Sequence, residues 1–215
     1  MSNLDKTRHV ILARALAHVV FDGWSWKALK AAAKDANIDP IMLKRAFPKG
    51  PRDLVYYFSE SADKLMLEEL GHLDIGSLPI RERVATAIKT RLQQNIIHKE
   101  ALRKLLSYLA LPRNFLLSAS LTYRTVDSIW YFAGDNSTDF NFYTKRGLLA
   151  GVYTSTILYW LADQSEDCTN TWAFLDRRIS EVLKISSLTG ALKNRLRAPF
   201  LNSRGRVQGS FFECY

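Results

Sequence analysis

Apolar residues recur along this chain at intervals of three and four, which is the period of an amphipathic α-helix. The N-terminal stretch shows the pattern plainly, because Ile11, Ala15 and Val19 form one apolar stripe. No segment alternates apolar and polar residues between turn signals, as the strands of a half-buried sheet would. The pattern therefore predicts an all-α protein whose helices each bury one face.

The composition is that of a globular protein without an evident catalytic centre. The chain has 215 residues, of which 47% are hydrophobic and 24% charged. A chain of this length can bury a hydrophobic core without disulfides or metal ions to stabilise it. The two cysteines, Cys168 and Cys214, form no metal-binding or redox spacing, and the four histidines never pair at ligand spacing. Neither a nucleophile motif nor a phosphate-binding glycine loop occurs. We therefore expect a protein that is not an enzyme and holds no metal or cofactor.

The charge balance is strongly basic, with a net charge of +9 and an isoelectric point of about 9.6. Such a surface favours acidic partners, either nucleic acid or anionic lipid headgroups, although a merely solvated basic surface is the alternative. The longest apolar run, residues 147–162, is shorter than the roughly 20 residues that cross a bilayer. We therefore expect a protein that is not integral to a membrane.

The first part of the chain has helix-turn-helix spacing. A predicted helix over residues 6–21 is followed by a helix capped at Ser25 and a short helix that begins at Asp39-Pro40. The order ILARALAHVVFDGW…LKAAAKDANIDPIMLKRAFPKGPRDL resembles the N-terminal domain of TetR-type regulators. A helix that reads a DNA groove presents polar, small or basic side chains, but the outward positions here are Ile41 and Met42. We therefore expect a helix-turn-helix kept as scaffold and no specific DNA partner.

Residues 134–146 read GDNSTDFNFYTKR, an unusually dense polar and aromatic stretch. Ser or Thr caps the helix that follows, and Asp139 complements its dipole from the first turn. Positions 139, 142, 143 and 146 share one helical face, so Asp139, Phe142, Tyr143 and Arg146 lie together. This mixture is typical of the centre of a protein interface. The alternative is a helix shoulder with both rings packed inward.

Small residues recur every four positions in the same helix, at Gly147, Gly151 and Ser155. They allow either close helix packing or a groove for a ligand. Because the surrounding residues are apolar, any ligand should be a lipid-like molecule. From helical position, the candidate lipid-binding residues are Leu148, Gly151, Val152 and Ser155.

The C-terminal part carries a basic amphipathic segment. The apolar stripe and the flanking cations are Leu188, Leu192, Leu196, Lys193, Arg195 and Arg197. A helix of this kind can lie in a membrane interface with its apolar side down and its cations toward anionic headgroups. The alternative is that it docks on its own domain.

The segment LALPRNFLLSASLTYRTVDSIWYFAGDNSTDFNFYTKRGLLAGVY resembles the central part of the coenzyme Q biosynthesis accessory family, the ninth Coq protein, and the likeness covers roughly residues 8–185. The resemblance implies a non-catalytic TetR-like fold that binds isoprenoid or other lipids, forms homodimers and delivers ubiquinone precursors to a di-iron demethoxyubiquinone hydroxylase. The surface facing that hydroxylase would include Asp127, Ile129, Asp139, Phe142 and Tyr143.

Together these features predict three parts: a helix-turn-helix-like subdomain (1–72), a lipid-binding and dimerisation subdomain (73–187) and a basic amphipathic segment with a tail (188–215). The expected function is presentation of a polyprenyl quinone intermediate to the hydroxylase at an anionic membrane surface. The alternative function is that of a TetR-type transcriptional regulator with a hydrophobic ligand. The expected location is the cytoplasm of a bacterium, peripheral to the inner membrane, with the matrix side of the mitochondrial inner membrane as the alternative.

Overall fold

The computed structural model describes residues 3–74, 76–134 and 140–182, with the backbone alone for residues 140–142. Regular structure in these ranges is helical throughout, which confirms the predicted all-α class. Nine α-helices occupy them: α1 (Asn3–Asp22), α2 (Trp26–Asp35), α3 (Pro40–Ala46), α4 (Pro51–Gly71), α5 (Ile80–Gln93), α6 (Lys99–Leu109), α7 (Phe115–Ala133), α8 (Phe140–Ala162) and α9 (169–182). Short 3₁₀ turns precede α6, α7 and α9 at Ile96–His98, Pro112–Asn114 and Glu166–Cys168.

Local capping explains the helix boundaries of the N-terminal part. The Ser25 side chain accepts a hydrogen bond from the backbone N–H of Ala28 at the start of α2. The Asp39 carboxylate accepts from the N–H groups of Ile41 and Met42 at the start of α3. Both caps confirm the sequence prediction, since each side chain satisfies donors that the helix itself leaves unpaired.

The C-terminal end of α5 is marked by a buried asparagine. Helix α5 stops at Gln93, and the chain then makes a 3₁₀ turn over Ile96–His98. The side-chain amide of the buried Asn95 donates to the carbonyl oxygen of Arg91 at 2.8 Å, as the helix ends. Side chains of this type compete with the backbone for such bonds, which is why they mark helix ends.

One hydrophobic core joins the helix-turn-helix to the rest of the protein. Ile11, Leu43 and Phe47 are buried in the same cluster as side chains of α5 to α9. The indole nitrogen of Trp24 donates to the carbonyl oxygen of Ala101 on α6 at 3.0 Å, deep in this core. The core is therefore continuous across the predicted boundary at residues 72–73.

The described helices include none that is both long and apolar enough to cross a membrane. Within the same residues, no group of histidine, cysteine and acidic side chains is arranged to hold a metal ion.

Candidate functional site

Helices α7 and α8 are joined by an ion pair beneath their shared surface. The Arg146 Nε lies 2.7 Å from the Asp127 carboxylate, and Arg146 is buried whereas the Asp127 side chain is 45% exposed. A buried guanidinium needs an anionic partner, and the pair therefore explains why a cation can lie among apolar neighbours. Arg146 therefore lies below the exposed surface of α7 and α8 and is not one of its accessible side chains.

Two tyrosines stand on the surface above that pair. Tyr143 of α8 is 70% exposed and Tyr131 of α7 is 82% exposed. The inward-packed alternative is therefore wrong for Tyr143. Sequence reasoning missed Tyr131, although its place one helical turn after Asp127 on α7 was a usable signal. We call Asp127, Tyr131 and Tyr143 the α7–α8 patch.

The other residues of the predicted partner surface fall elsewhere. Ile129 is completely buried, so its placement on that surface was wrong: it lies two residues from Asp127 and points into the core. Phe142 lies in the first turn of α8, but its side chain is outside the described residues, and so is all of Asp139.

A groove of about 270 Å³ lies between α5, α7, α8 and α9. Its apolar walls include Ile80 and Val84 of α5, Trp130 of α7, Leu148 and Val152 of α8, and Ile179 of α9. Two of the four residues predicted to bind lipid, Leu148 and Val152, therefore line a cavity. The groove is apolar enough to take a hydrocarbon chain.

The other two predicted lipid-binding residues do not line this groove. Gly151 is exposed, with nothing within 4 Å of the position a Cβ would take, and Ser155 is half-buried with its hydroxyl bonded to the Gly151 carbonyl at 2.8 Å. Successive residues of a helix are rotated by about 100°, so the small-residue stripe turns away from the wall formed by Leu148 and Val152. Gly151 and Ser155 therefore do not belong to the groove, contrary to the prediction.

Two cations that sequence reasoning missed, Lys145 and Arg81, stand at the groove. The Lys145 ammonium lies 5.7 Å from the ring centroid of Trp130, and the Trp130 indole N–H donates to the Lys145 carbonyl oxygen at 3.3 Å. Arg81 donates to the carbonyl oxygen of Asp176 on α9 at 3.5 Å. Contacts between α5 and α9 join residues almost a hundred positions apart, and no local sequence motif predicts such contacts.

The groove reaches the last described residue, Val182. The predicted basic amphipathic segment, residues 188–215, follows in the sequence. The residues predicted there to contact a membrane lie outside the described residues; they are Leu188, Leu192, Lys193, Arg195, Leu196 and Arg197.

The helix-turn-helix presents an apolar surface where a DNA reader would present polar groups. Ile41 at the start of α3 is 75% exposed, and Met42 beside it is half-buried. Lys44 and Arg45 are exposed at the end of this short helix. Without neighbouring polar side chains that contact base edges, Lys44 and Arg45 could make at most sequence-independent contacts to phosphate.

Among solved structures, the protein is similar to a TetR transcriptional regulator from Nitrosomonas europaea. The TM-score is 0.66 with 21% identity, over 82% of this chain and 97% of that one. This likeness confirms the TetR-like fold.

The COQ9 family model matches residues 115–186, the segment that contains α7, α8 and α9. The relatives named "Ubiquinone biosynthesis protein COQ9, mitochondrial" include those of Rattus norvegicus (32% identical), Homo sapiens (31%) and Xenopus tropicalis (35%). The alignments cover 88%, 88% and 82% of this chain and 63%, 62% and 58% of the relatives, so the chain spans about three-fifths of their length. Since the family match falls on the helices that build the patch and most of the groove, and these relatives align along most of the chain, the chain belongs to the COQ9 family.

Proposed function

We propose that the protein is a non-catalytic accessory protein of ubiquinone biosynthesis. It binds a polyprenyl quinone intermediate and presents it to a di-iron demethoxyubiquinone hydroxylase at a membrane surface. The observation that carries this proposal is an apolar groove lined by α7 and α8, the same two helices that carry the exposed tyrosines of the α7–α8 patch. The names of the relatives support the pathway.

The groove suits part of a long apolar molecule. Its volume of about 270 Å³ lies near the lower end of the range for small-ligand sites, so it holds one portion of a polyprenyl chain. Burial of such a chain contributes about 25 cal/mol for each Å² removed from water. The polar end of the lipid then lies at the mouth, where Lys145 and Arg81 supply positive charge.

The α7–α8 patch suits a protein partner. Exposed tyrosines combine a large apolar ring with a hydroxyl, and side chains of this kind dominate the binding energy of protein interfaces. Trp130 lines the groove and directly precedes the exposed Tyr131 on α7, so a hydroxylase bound over Tyr131 would lie near one wall of the groove.

Membrane association completes the proposal. The basic amphipathic segment places Leu188, Leu192 and Leu196 toward the acyl boundary, while Lys193, Arg195 and Arg197 meet anionic headgroups at about 1 kcal/mol each. The protein is thus peripheral to an inner membrane. The relatives are named mitochondrial, which favours a mitochondrion over a bacterial cytoplasm.

A homodimer is part of the same proposal. The exposed face of α8 that carries Gly147 and Gly151 lets a second helix approach closely, and Leu158 on that side of the helix is exposed. Contact between two such faces would leave the groove open, because the groove-lining residues Leu148 and Val152 lie on another side of α8.

Mass spectrometry of lipids extracted from the purified protein tests the function. We expect an isoprenoid quinone or a related lipid in the wild type and several-fold less in Leu148→Trp, because the indole fills the groove. Leu158→Trp makes the same change on an exposed face of the same helix and should retain the lipid. A wild-type protein that carries no lipid, or equal loss in both variants, would contradict the proposal.

A further inference from the structure

A cleft between α2 and α3 lies on the helix-turn-helix. It is open to solvent and has a volume of about 720 Å³. Apolar side chains make up most of its lining: Trp26, Ala33, Ile38, Pro40, Leu43 and Pro48. It shares no residue with the groove or with the α7–α8 patch. We call it the α2–α3 cleft.

One wall of the α2–α3 cleft is a tryptophan that is held in place. Trp26 is the first residue of α2 and is 48% exposed. Its ring lies so close to Gly50 that a Cβ at that glycine would collide with it. A side chain packed this tightly loses little further freedom when a partner binds, so its apolar contact costs little entropy.

The apolar surface continues from the cleft onto the outer face of α3. A shallower depression lined by Pro40, Ile41, Lys44 and Arg45 shares Pro40 and Lys44 with the cleft. Ile41 is 75% exposed there. A contiguous exposed apolar area with a polar rim is typical of an interaction site.

Lysines stand on both sides of the cleft. Lys30 and Lys34 lie one helical turn apart on α2, and Lys44 lies on α3; all three line the cleft and are exposed. None of their ammonium groups forms an ion pair with an acid in the part of the chain that the structure describes. The rim of the cleft therefore carries positive charge that the protein leaves uncompensated.

The acids of residues 25–53 already have other partners. Asp35 lies 2.7 Å from the Nε2 of His18. Asp39 caps α3, and Asp53 accepts a hydrogen bond of 2.7 Å from a backbone N–H in the turn before α4. Because residues 25–53 contain no further acid, a negatively charged group that meets the lysines has to come from another molecule.

Charge and shape disfavour the nearest alternative occupants. The basic segment of this chain carries Lys193, Arg195 and Arg197, which the lysines of the cleft would repel. A second copy in a two-fold contact would bring the same lysines face to face.

A membrane or a DNA duplex also fits the cleft poorly. Ala33 and Leu43 line the cleft but are only 3% and 6% exposed, so they lie out of reach of a flat lipid surface. Phosphates of a duplex would meet the lysines but would make no use of apolar walls. A narrow body with apolar and anionic side chains uses both features.

From these observations we infer that the α2–α3 cleft is a docking site for an acidic amphipathic helix of a partner protein. The apolar face of that helix lies against Trp26 and Ile38, and carboxylates three or four positions apart meet Lys30 and Lys34. Helix α2 has 10 residues and is therefore about 15 Å long, which matches two to three turns of a docked helix.

Fluorescence anisotropy of a labelled synthetic helix tests this inference on the full chain. The probe is a fluorescein-labelled peptide with leucines on one face and glutamates on both flanks of that face. We expect saturable binding that weakens several-fold as the salt concentration rises from about 0.05 M to about 0.5 M, because salt screens exposed charges. The same peptide with glutamine in place of every glutamate should bind about fivefold more weakly or worse.

Charge reversal at the rim locates the binding site. In the double variant Lys30→Glu, Lys34→Glu, affinity for the glutamate peptide should fall about tenfold, because attraction becomes repulsion. Both positions are exposed, so the fold should be retained. The control Lys104→Glu, Arg113→Glu makes the same change in net charge at exposed positions outside the cleft and should lose less than about twofold.

A pair of aromatic variants separates the cleft from the α7–α8 patch. Trp26→Ala should weaken peptide binding about tenfold, as for an aromatic side chain at the centre of an interface. Tyr131→Ala removes an exposed ring of the patch and should bind the peptide like the wild type.

Several results would overturn the inference. They are a wild type that does not bind the glutamate peptide saturably, equal binding of the glutamate and glutamine peptides, and equal losses in the two charge variants. Binding of phosphatidylglycerol vesicles or duplex DNA without binding of the peptide would also overturn it, since the lysines would then serve a different polyanion.

Discussion

Arg146 shows how one side chain can share a helical face with surface residues and still belong to the interior. The pattern of α8 placed it beside Tyr143, but its guanidinium lies underneath, 2.7 Å from Asp127. The pairing partner is on another helix, which the spacing within one helix cannot reveal. The ring of Tyr143, by contrast, lies on the surface as the mixed composition of the stretch predicted.

Removing Asp127 should therefore weaken the fold as well as the patch. We expect Asp127→Ala to lower the free energy of unfolding by about 1 kcal/mol, because Arg146 loses a partner while the exposed half of the pair is screened by solvent. Denaturant titration measures this. Glu100→Ala removes an exposed partner of Arg103 and should cost much less. Equal losses would show that the buried Arg146 gains no more from Asp127 than an exposed arginine gains from its partner.

Tyr143 provides the sharpest test of the patch. Tyr143→Ala should reduce capture of the hydroxylase at least tenfold, because exposed aromatic side chains at an interface centre commonly contribute more than 2 kcal/mol. Its unfolding free energy should change by less than about 0.5 kcal/mol. Phe21→Ala, on a more exposed ring at the end of α1, should leave capture unchanged. If Tyr143→Ala unfolds the protein, the ring is structural.

Asp163 makes stability depend on pH. Burial alone would raise the pKa of its carboxyl, but hydrogen bonds from Thr171 and Ser165 outweigh burial and lower that pKa well below its usual range. Because the folded pKa is depressed, the stabilisation is present above the unfolded pKa of about 3.9 and is lost as the pH falls toward the folded pKa.

The corresponding variant is Asp163→Asn. At pH 5 to 7 we expect the free energy of unfolding of the wild type to be about 1 kcal/mol higher than that of the variant. This is the typical cost of losing a side chain that caps backbone N–H groups. The difference should shrink as the pH falls below about 4. Chemical unfolding across this pH range measures the difference in unfolding free energy between the two proteins. If that difference grew toward low pH, folding would raise the pKa of Asp163 and not lower it.

The turn between α3 and α4 depends on a glycine that packs against a helix-turn-helix tryptophan. Gly50 has φ of 61°, a left-handed conformation that side chains disfavour. A Cβ built there would lie 2.2 Å from the Trp26 ring. The close approach of Trp26 depends on tertiary packing that the local sequence around Gly50 does not encode.

Gly50→Ala should consequently destabilise the protein by about 2 kcal/mol or more, through backbone strain and overpacking. The matched control is Gly71→Ala at the end of α4, where a Cβ meets nothing within 4 Å and stability should hold or rise slightly. Differential scanning calorimetry would report both. Similar melting temperatures for the two variants would contradict the packing of Trp26 on Gly50.

The sequence was informative about helices and caps because those depend on neighbours within one or two turns. For the patch, the helical pattern predicted only the surface position of Tyr143, whereas Asp127 was implied by the family resemblance and Tyr131 was missed. The sequence did not predict the groove walls of α5 and α9 or the buried ion pair between Arg91 and Asp63. Those contacts join residues that are 28 positions apart in the ion pair and almost a hundred apart across the groove. Tertiary packing, and no local pattern, brings them together.

The TetR-like body combines a helix-turn-helix that presents Ile41 with an apolar groove and an aromatic patch. This arrangement suits transfer of an apolar molecule to a bound partner better than it suits reading of bases, which needs polar side chains. The exposed isoleucine belongs to α3, whereas the groove is built by α5, α7, α8 and α9, so the function proposed here uses the later helices.

Photocrosslinking with a polyprenyl quinone analogue that carries a diazirine in its chain tests the central claim most directly. After illumination and proteolysis, we expect attachment on groove-lining residues, above all Leu148, Val152 and Ile179, and strong reduction in Leu148→Trp. Attachment confined to α1–α3, or no attachment beyond that of a denatured control, would contradict the account.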